Sequence, residues 1–222
     1  MLPQAFSRPL WRLFPTLVVF ALSGCASDEF TFEADLPGDF SLVGNARYSP
    51  PEGRHCHIPA KDDLTQRLFA TSGRGERPYR VSYQVPLSLN SAGCKLELRH
   101  ILIEIDGEPA SYPLNAVPSH NSFASLTIRN RLAGSPGMPK KGARIFDGRC
   151  RWLLPDSHGG KRQLQCRASD IDGNWLTGRP GGELQRDELP GRIVRLAIGV
   201  APDIAASAEP RGTQALTADS SN

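Results

Sequence analysis

Seven stretches of this chain alternate apolar and polar side chains with a period of two, and the apolar stripe of a long amphipathic helix is missing. The stretches are 40–48, 79–89, 95–106, 122–129, 144–154, 162–171 and 192–200, rich in Val, Ile, Leu, Tyr and Phe and separated by turn residues. Side chains two apart share one face of a strand, so each stretch reads as a strand with a buried side. Together they predict a single, mainly antiparallel β-sandwich over residues 40–202, with long loops. Asp106-Gly107 and Asp172-Gly173 carry Asp-Gly turns of the hairpin kind. At most one short helix is expected, over residues 61–70, with Asp62 and Asp63 near its start. Within 95–106 the apolar parity switches at His100-Ile101, which predicts a bulge or a strand half buried on both faces.

The cysteines add constraints. The segments around Cys150 and Cys166 flank a turn-rich loop, Pro155-Asp156-Ser157-His158-Gly159-Gly160-Lys161. A hairpin symmetric about His158 sets Cys150 opposite Cys166 and Trp152 opposite Leu164, giving one register both a sulfur pair and an apolar face. By elimination Cys56 pairs with Cys94, leaving Cys25 as the fifth cysteine.

Cys25 closes Leu22-Ser23-Gly24-Cys25, which resembles a bacterial lipobox. Ahead of it lie Arg8, Arg12 and an apolar run at 13–22. That run is short of the ~20 residues a membrane span needs and suits a secretory signal. The resemblance implies cleavage after residue 24, acylation of Cys25 and an anchor in the outer membrane facing the periplasm, since Ala26 and Ser27, not aspartate, follow the cysteine. An oxidising compartment agrees with two disulfides. Residues 25–39 then read as a tether, although Phe30, Phe32 and Phe40 could add an edge strand. Residues 203–222, nearly devoid of large apolar side chains, read as a disordered tail.

Removing Arg8 and Arg12 from 26 basic residues leaves 24 against 23 acidic ones, a net of +1. Such a balance argues against a nucleic-acid partner, which needs a concentrated basic face. Residues that could carry chemistry are scattered. Gly134-Ser135-Pro136-Gly137 lacks nucleophile-elbow spacing, and the five histidines form no His-Glu-x-x-His pair. His55-Cys56-His57 reads as a disulfide site flanked by histidines, and Asp170-Ile171-Asp172-Gly173-Asn174 as a turn lacking the later acidic ligand of a calcium loop. Trp152 and Trp175 read as packing residues beside the disulfide layer. No enzyme activity, metal or cofactor is expected.

Several motifs occur as a set: Gly44-Asn45-Ala46-Arg47-Tyr48-Ser49-Pro50, Tyr83-Gln84-Val85-Pro86-Leu87 and Gly93-Cys94-Lys95-Leu96, then Gly148-Arg149-Cys150-Arg151-Trp152, Leu164-Gln165-Cys166-Arg167-Ala168 and Gly178-Arg179-Pro180-Gly181-Gly182. The set resembles a family of proteobacterial lipoproteins encoded beside type VI secretion phospholipase effectors. Several relatives carry a longer, cysteine-bearing C-terminal part where this chain has its polar tail. The resemblance implies an immunity protein that binds a cognate phospholipase effector in the periplasm. Loop residues at one end of the sandwich are the expected contacts: Arg67, Phe69 and Arg74 in one loop, Met138, Lys140 and Lys141 in another, with Phe123 and Arg129 as weaker candidates. Two alternatives are an assembly lipoprotein of an envelope secretion machine and a lipid- or glycan-binding lipoprotein.

Overall fold

The computed structural model describes residues 28–54, 56, 63–73, 75, 77–107, 122–134, 137–153 and 163–201. Eleven strands are present: β1 Glu29–Leu36, β2 Phe40–Ser49, β3 Leu64–Ala70, β4 Tyr79–Pro86, β5 Ser88–Ser91, β6 Cys94–Gly107, β7 Ser122–Arg129, β8 Ala143–Leu153, β9 Gln163–Ala168, β10 Gly181–Gln185 and β11 Ile193–Val200. They form two sheets packed face to face, in the orders β4-β1-β11-β8-β9 and β10-β7-β6-β2-β3, with β5 pairing the start of β6. The alternation that marks each strand also fills the space between the sheets. Phe30, Phe32, Leu36, Val194 and Leu196 come from the first sheet, and Phe40, Leu42, Leu96, Leu98, Ile101, Ile103 and Ile105 from the second. Each such side chain contributes roughly 1.5–3 kcal/mol by leaving water.

The expected disulfides form, Cys56 with Cys94 and Cys150 with Cys166. The β8–β9 register pairs Cys150 with Cys166 and Trp152 with Leu164. The cysteine pair is of the kind whose backbones do not bond each other, the closer of the two antiparallel spacings. The Cys166 N–H donates to Ser122 Oγ (2.8 Å), and the Cys150 carbonyl accepts from Ala201 N–H (2.8 Å). Their Cα atoms lie 4.0 Å apart. The parity switch in β6 is a bulge: Arg47 faces His100 and Tyr48 faces Leu98, leaving Arg99 as the extra residue.

Two expectations need correction. Residues 29–36 are no tether or edge strand: β1 lies between β4 and β11, so the folded domain begins before residue 40. Its outward acids have partners, Glu33 with Arg195 at 2.7 Å and Asp35 with Arg80 at 2.5 Å, while Phe30, Phe32, Ala34 and Leu36 are buried. Residues 64–70 are strand, not helix, because β3 completes the edge beside β2, and Asp63 pairs with Arg47 instead of capping a helix. Lys61 and Asp62 lie outside the described residues. The sheets are mainly antiparallel, as the sequence predicts: six strand pairings are antiparallel, and β1–β11, β8–β11 and β7–β10 are parallel. The tail at 203–222 is also outside the described residues.

The Gly178-Arg179-Pro180-Gly181-Gly182 run has a structural purpose. It carries the chain from the β9 side of the first sheet to β7 of the second, where Ser125 N–H donates to the Pro180 carbonyl at 2.9 Å. Gly181 has φ +110°, and a Cβ there would collide with the Ser125 carbonyl. A Cβ on Gly148 would come within 2.7 Å of the Pro180 ring, and one on Gly182 within 2.6 Å of the Phe146 ring. Glycine at these points lets the two sheets close along this side.

Arg186, in the 3-10 turn Arg186–Glu188 that follows β10, fastens another corner. Its guanidinium donates to the carbonyls of Leu87 (3.0 Å) and Leu98 and sits 3.7 Å from Glu97.

Candidate functional site

The expected contact residues do not converge. Arg67 is exposed on the edge strand β3, whereas Phe69 on the same strand is 4% exposed and belongs to the core. The bulge at Leu68, between the pairs Gly44–Phe69 and Asn45–Arg67, accompanies this inward turn. Arg74 lies outside the described residues. Met138 packs against the core, its N–H held by the Glu188 carboxylate at 2.7 Å, so it is no free loop contact. Lys140 and Lys141 are exposed where the chain enters β8. Phe123 is covered by the Arg179 guanidinium (5.5 Å to the ring centre), and Arg129 is paired with Glu183 at 2.9 Å.

A different feature stands out on the outer surface of the first sheet. Its β1–β4–β11 part is electrically balanced by the Glu33–Arg195 and Asp35–Arg80 pairs and by Thr31 with Gln84. The β8–β9 part is not. Arg149 and Arg167 stand directly opposite each other across the ladder, with Arg151 two residues along. Like charges so placed destabilise a strand pair by a few tenths of a kcal/mol or more. Among the described residues none of these three arginines forms an ion pair. Asp147, Asp170 and Asp172 share the neighbourhood but make no ion pair with them.

Beside these arginines the chain leaves β9 and makes a small projection. Ser169 and Trp175 form a bridge, the Leu176 N–H donates to Ala168 O (2.8 Å), and Ser169 N–H donates to Asp147 O (3.0 Å). At the tip the Asp170 N–H donates to Asn174 O (3.1 Å) and the Gly173 N–H to Asp170 O (3.0 Å). The Asp170 carboxylate accepts from the backbone N–H (2.7 Å) and the side-chain amide (2.9 Å) of Asn174. Those side-chain and backbone bonds from Asn174, in that order, hold the Asp170 carboxyl below the ordinary aspartate value. Arg149 Nη1 donates to Gly173 O at 2.6 Å, fastening the tip to the sheet. Arg151 lies 5.2 Å above the Trp175 ring, so Trp175 packs on the outer face and not in the disulfide layer, while Trp152 does pack against the core.

The turn holds Ile171 out in water, 93% exposed, and Leu176 is 47% exposed. A β-branched apolar side chain this exposed at the tip of a turn contributes little to the fold. Beside an aromatic ring and guanidinium groups, it has the make-up of a binding hot spot. Because the turn is already rigid, burying it against a partner costs little ordering entropy. The arrangement is suited to recognition.

Asp170-Ile171-Asp172-Gly173-Asn174 reads correctly as a turn in the sequence, but its role as a projection does not show there. The available signal is the single isoleucine among residues that otherwise all favour a turn. His55 and His57 lie outside the described residues, and among the described residues no three His, Cys, Asp or Glu side chains gather as a metal site. No family model, curated protein or solved structure matches this chain.

Proposed function

We propose that this protein is a Cys25-acylated, periplasm-facing binding protein that neutralises a type VI secretion phospholipase effector by gripping it through the projection at residues 170–176. The observation that carries the binding role is Ile171, held almost wholly in water by a turn braced through Asp170, Gly173 and Asn174. Arg149, Arg151 and Arg167 add charge that no carboxylate pairs with among the described residues, and Trp175 adds aromatic surface. The lipobox-like segment and the family resemblance supply the compartment and the class of target. A sandwich with a disulfide in each half of the chain gives such a site a stiff base in an oxidising compartment.

The test is co-expression with the phospholipase encoded beside the gene. Rescue of cells from the periplasm-directed lipase, and capture of that lipase by oxidised protein of residues 26–222, are the expected results. Absence of both rescue and binding overturns the proposal. Capture of secretion-apparatus subunits without the lipase would instead select the assembly lipoprotein.

A further inference from the structure

The first strand begins so close to Cys25 that the anchor, once formed, dictates which end of the sandwich meets the bilayer. Asp28 is already part of the fold: its carbonyl accepts from Leu87 N–H (2.8 Å), and its carboxylate holds Ser88 Oγ. Glu29 follows as the first residue of β1, its carbonyl accepting from Gly191 N–H at 2.8 Å. Only Ala26 and Ser27 separate Cys25 from Asp28, and the three residue steps between those two positions span at most ~11 Å when fully extended.

Strand directions define the two ends. β1 runs away from Asp28 for eight residues, about 26 Å, to the β1–β2 turn. At the Asp28 end lie the β5–β6 turn, the start of β8 and the start of β11. Arg192 joins two of these segments, its carbonyl accepting from Thr31 N–H (2.8 Å) and its guanidinium donating to Lys140 O (3.0 Å). Arg54, Lys95, Arg131, Lys140 and Lys141 are exposed at this end and form no ion pair among the described residues. Among the described residues the exposed carboxylates there that form no ion pair, Asp28, Glu52 and Asp187, are fewer.

We infer that the end of the sandwich bearing Lys95, Lys140 and Lys141 rests on the phospholipid headgroups, an orientation imposed by the two-residue link to Cys25. This rests on acylation of Cys25. Cations are attracted to an anionic surface, so charge and covalent reach act in the same direction. The projection of residues 170–176 branches from the level of Asp147, which aligns through Ala197 with Asp35, six residues along β1 from Glu29. It therefore stands roughly 20 Å farther from the bilayer, clear of the headgroups. Lys140 and Lys141, expected from the sequence to touch a partner protein, become lipid contacts.

The experiment uses the full-length protein purified from membranes, compared in detergent and in vesicles of phosphatidylethanolamine and phosphatidylglycerol. Mass spectrometry of the N-terminal peptide reports acylation, and amine-reactive labelling reports lysine access. With Cys25 acylated, Lys95, Lys140 and Lys141 should lose reactivity in vesicles, while amide exchange of residues 170–174 stays at its detergent value. A twenty-residue Gly-Ser insert between Ser27 and Asp28, with a span of about 25 Å, should restore much of the lysine reactivity. Acylated protein with equal lysine labelling in both media overturns the orientation and leaves the anchor standing. Protein with Cys25 unacylated overturns both.

Discussion

The ring of Phe69 lies directly over Gly44 across the β2–β3 ladder, in the space where any side chain at position 44 would stand. It continues a stack, 5.0 Å from the Phe32 ring and 4.6 Å from the Tyr83 ring, that joins the two sheets along their open side. Gly44 is needed because an aromatic ring from the neighbouring strand occupies its inner face.

Gly44→Ala should therefore destabilise the protein by about 1–3 kcal/mol through overpacking, and Phe69→Ala by about 3–5 kcal/mol through the cavity it leaves. The double variant should be more stable than the sum of the two losses allows, since the alanine methyl enters space the ring has vacated. Urea denaturation of the four proteins, disulfides intact, measures the coupling. Strict additivity would contradict the stack.

Ile171→Ser should leave the denaturation midpoint nearly unchanged, within about 0.5 kcal/mol, because the side chain touches little of the fold. The same change should weaken capture of the phospholipase by about 2 kcal/mol or more if the residue anchors the complex. Titration calorimetry with the purified lipase separates the two effects, and unchanged affinity would remove the projection from the interface.

The projection should also respond to acid in a defined sense. A carboxyl whose pKa falls on folding stabilises the folded arrangement fully above its unfolded value, and that contribution is lost as pH drops through the lower, folded value. For Asp170 the loss sets in below the ordinary aspartate value of 3.8. The Asn174 amide proton resonance should titrate in that range, and Asp170→Asn should abolish the titration.

Arg186→Ala should cost about 1.5–3 kcal/mol, because the Leu87 and Leu98 carbonyls lose a charged donor in a half-buried setting. Arg186→Lys should recover only part of this, since an ammonium keeps the charge but not the planar fork that reaches both carbonyls. Chemical denaturation of the two variants decides it, and a full rescue by lysine would show that only the charge matters.

Removing each disulfide by paired Cys→Ala changes should reveal a difference in loop entropy. The bridges close separations of 38 residues for Cys56–Cys94 and 16 for Cys150–Cys166. Chain-entropy estimates are about 4 and 3 kcal/mol respectively. Thermal unfolding of the two double variants should rank them in that order. The reverse order would show that burial of the Cys150–Cys166 pair outweighs loop length.

Where two strands are near neighbours in the chain, much of the fold was legible. The Cys150–Cys166 register followed from a hairpin centre at His158, and the β6 bulge from two parities meeting at His100-Ile101. Sequence reading failed where a segment's identity depended on a distant partner. Residues 29–36 alternate correctly, yet their place inside the sheet depends on β11, more than 150 residues later, which lies parallel to them. The segment 64–70, with three exposed residues in a row, shows no clear strand period until β2 supplies the ladder. The β10 strand looks like part of a glycine turn, because its glycines answer to Ser125 and Phe146, which no local pattern reveals.

By itself the sequence determined that the chain builds two-faced strands, that four of its cysteines can brace them, and that the hairpin carrying Cys150 and Cys166 takes its particular register. Those properties rest on side-chain alternation and short loops, which act within about twenty residues. Only the tertiary structure decided that β1 is interior, that Phe69 turns inward over Gly44, and that Ile171 turns outward on a projection fastened by Arg149. Parallel pairing, inter-sheet packing and exposure are set by residues remote in the chain, so no local pattern could carry them.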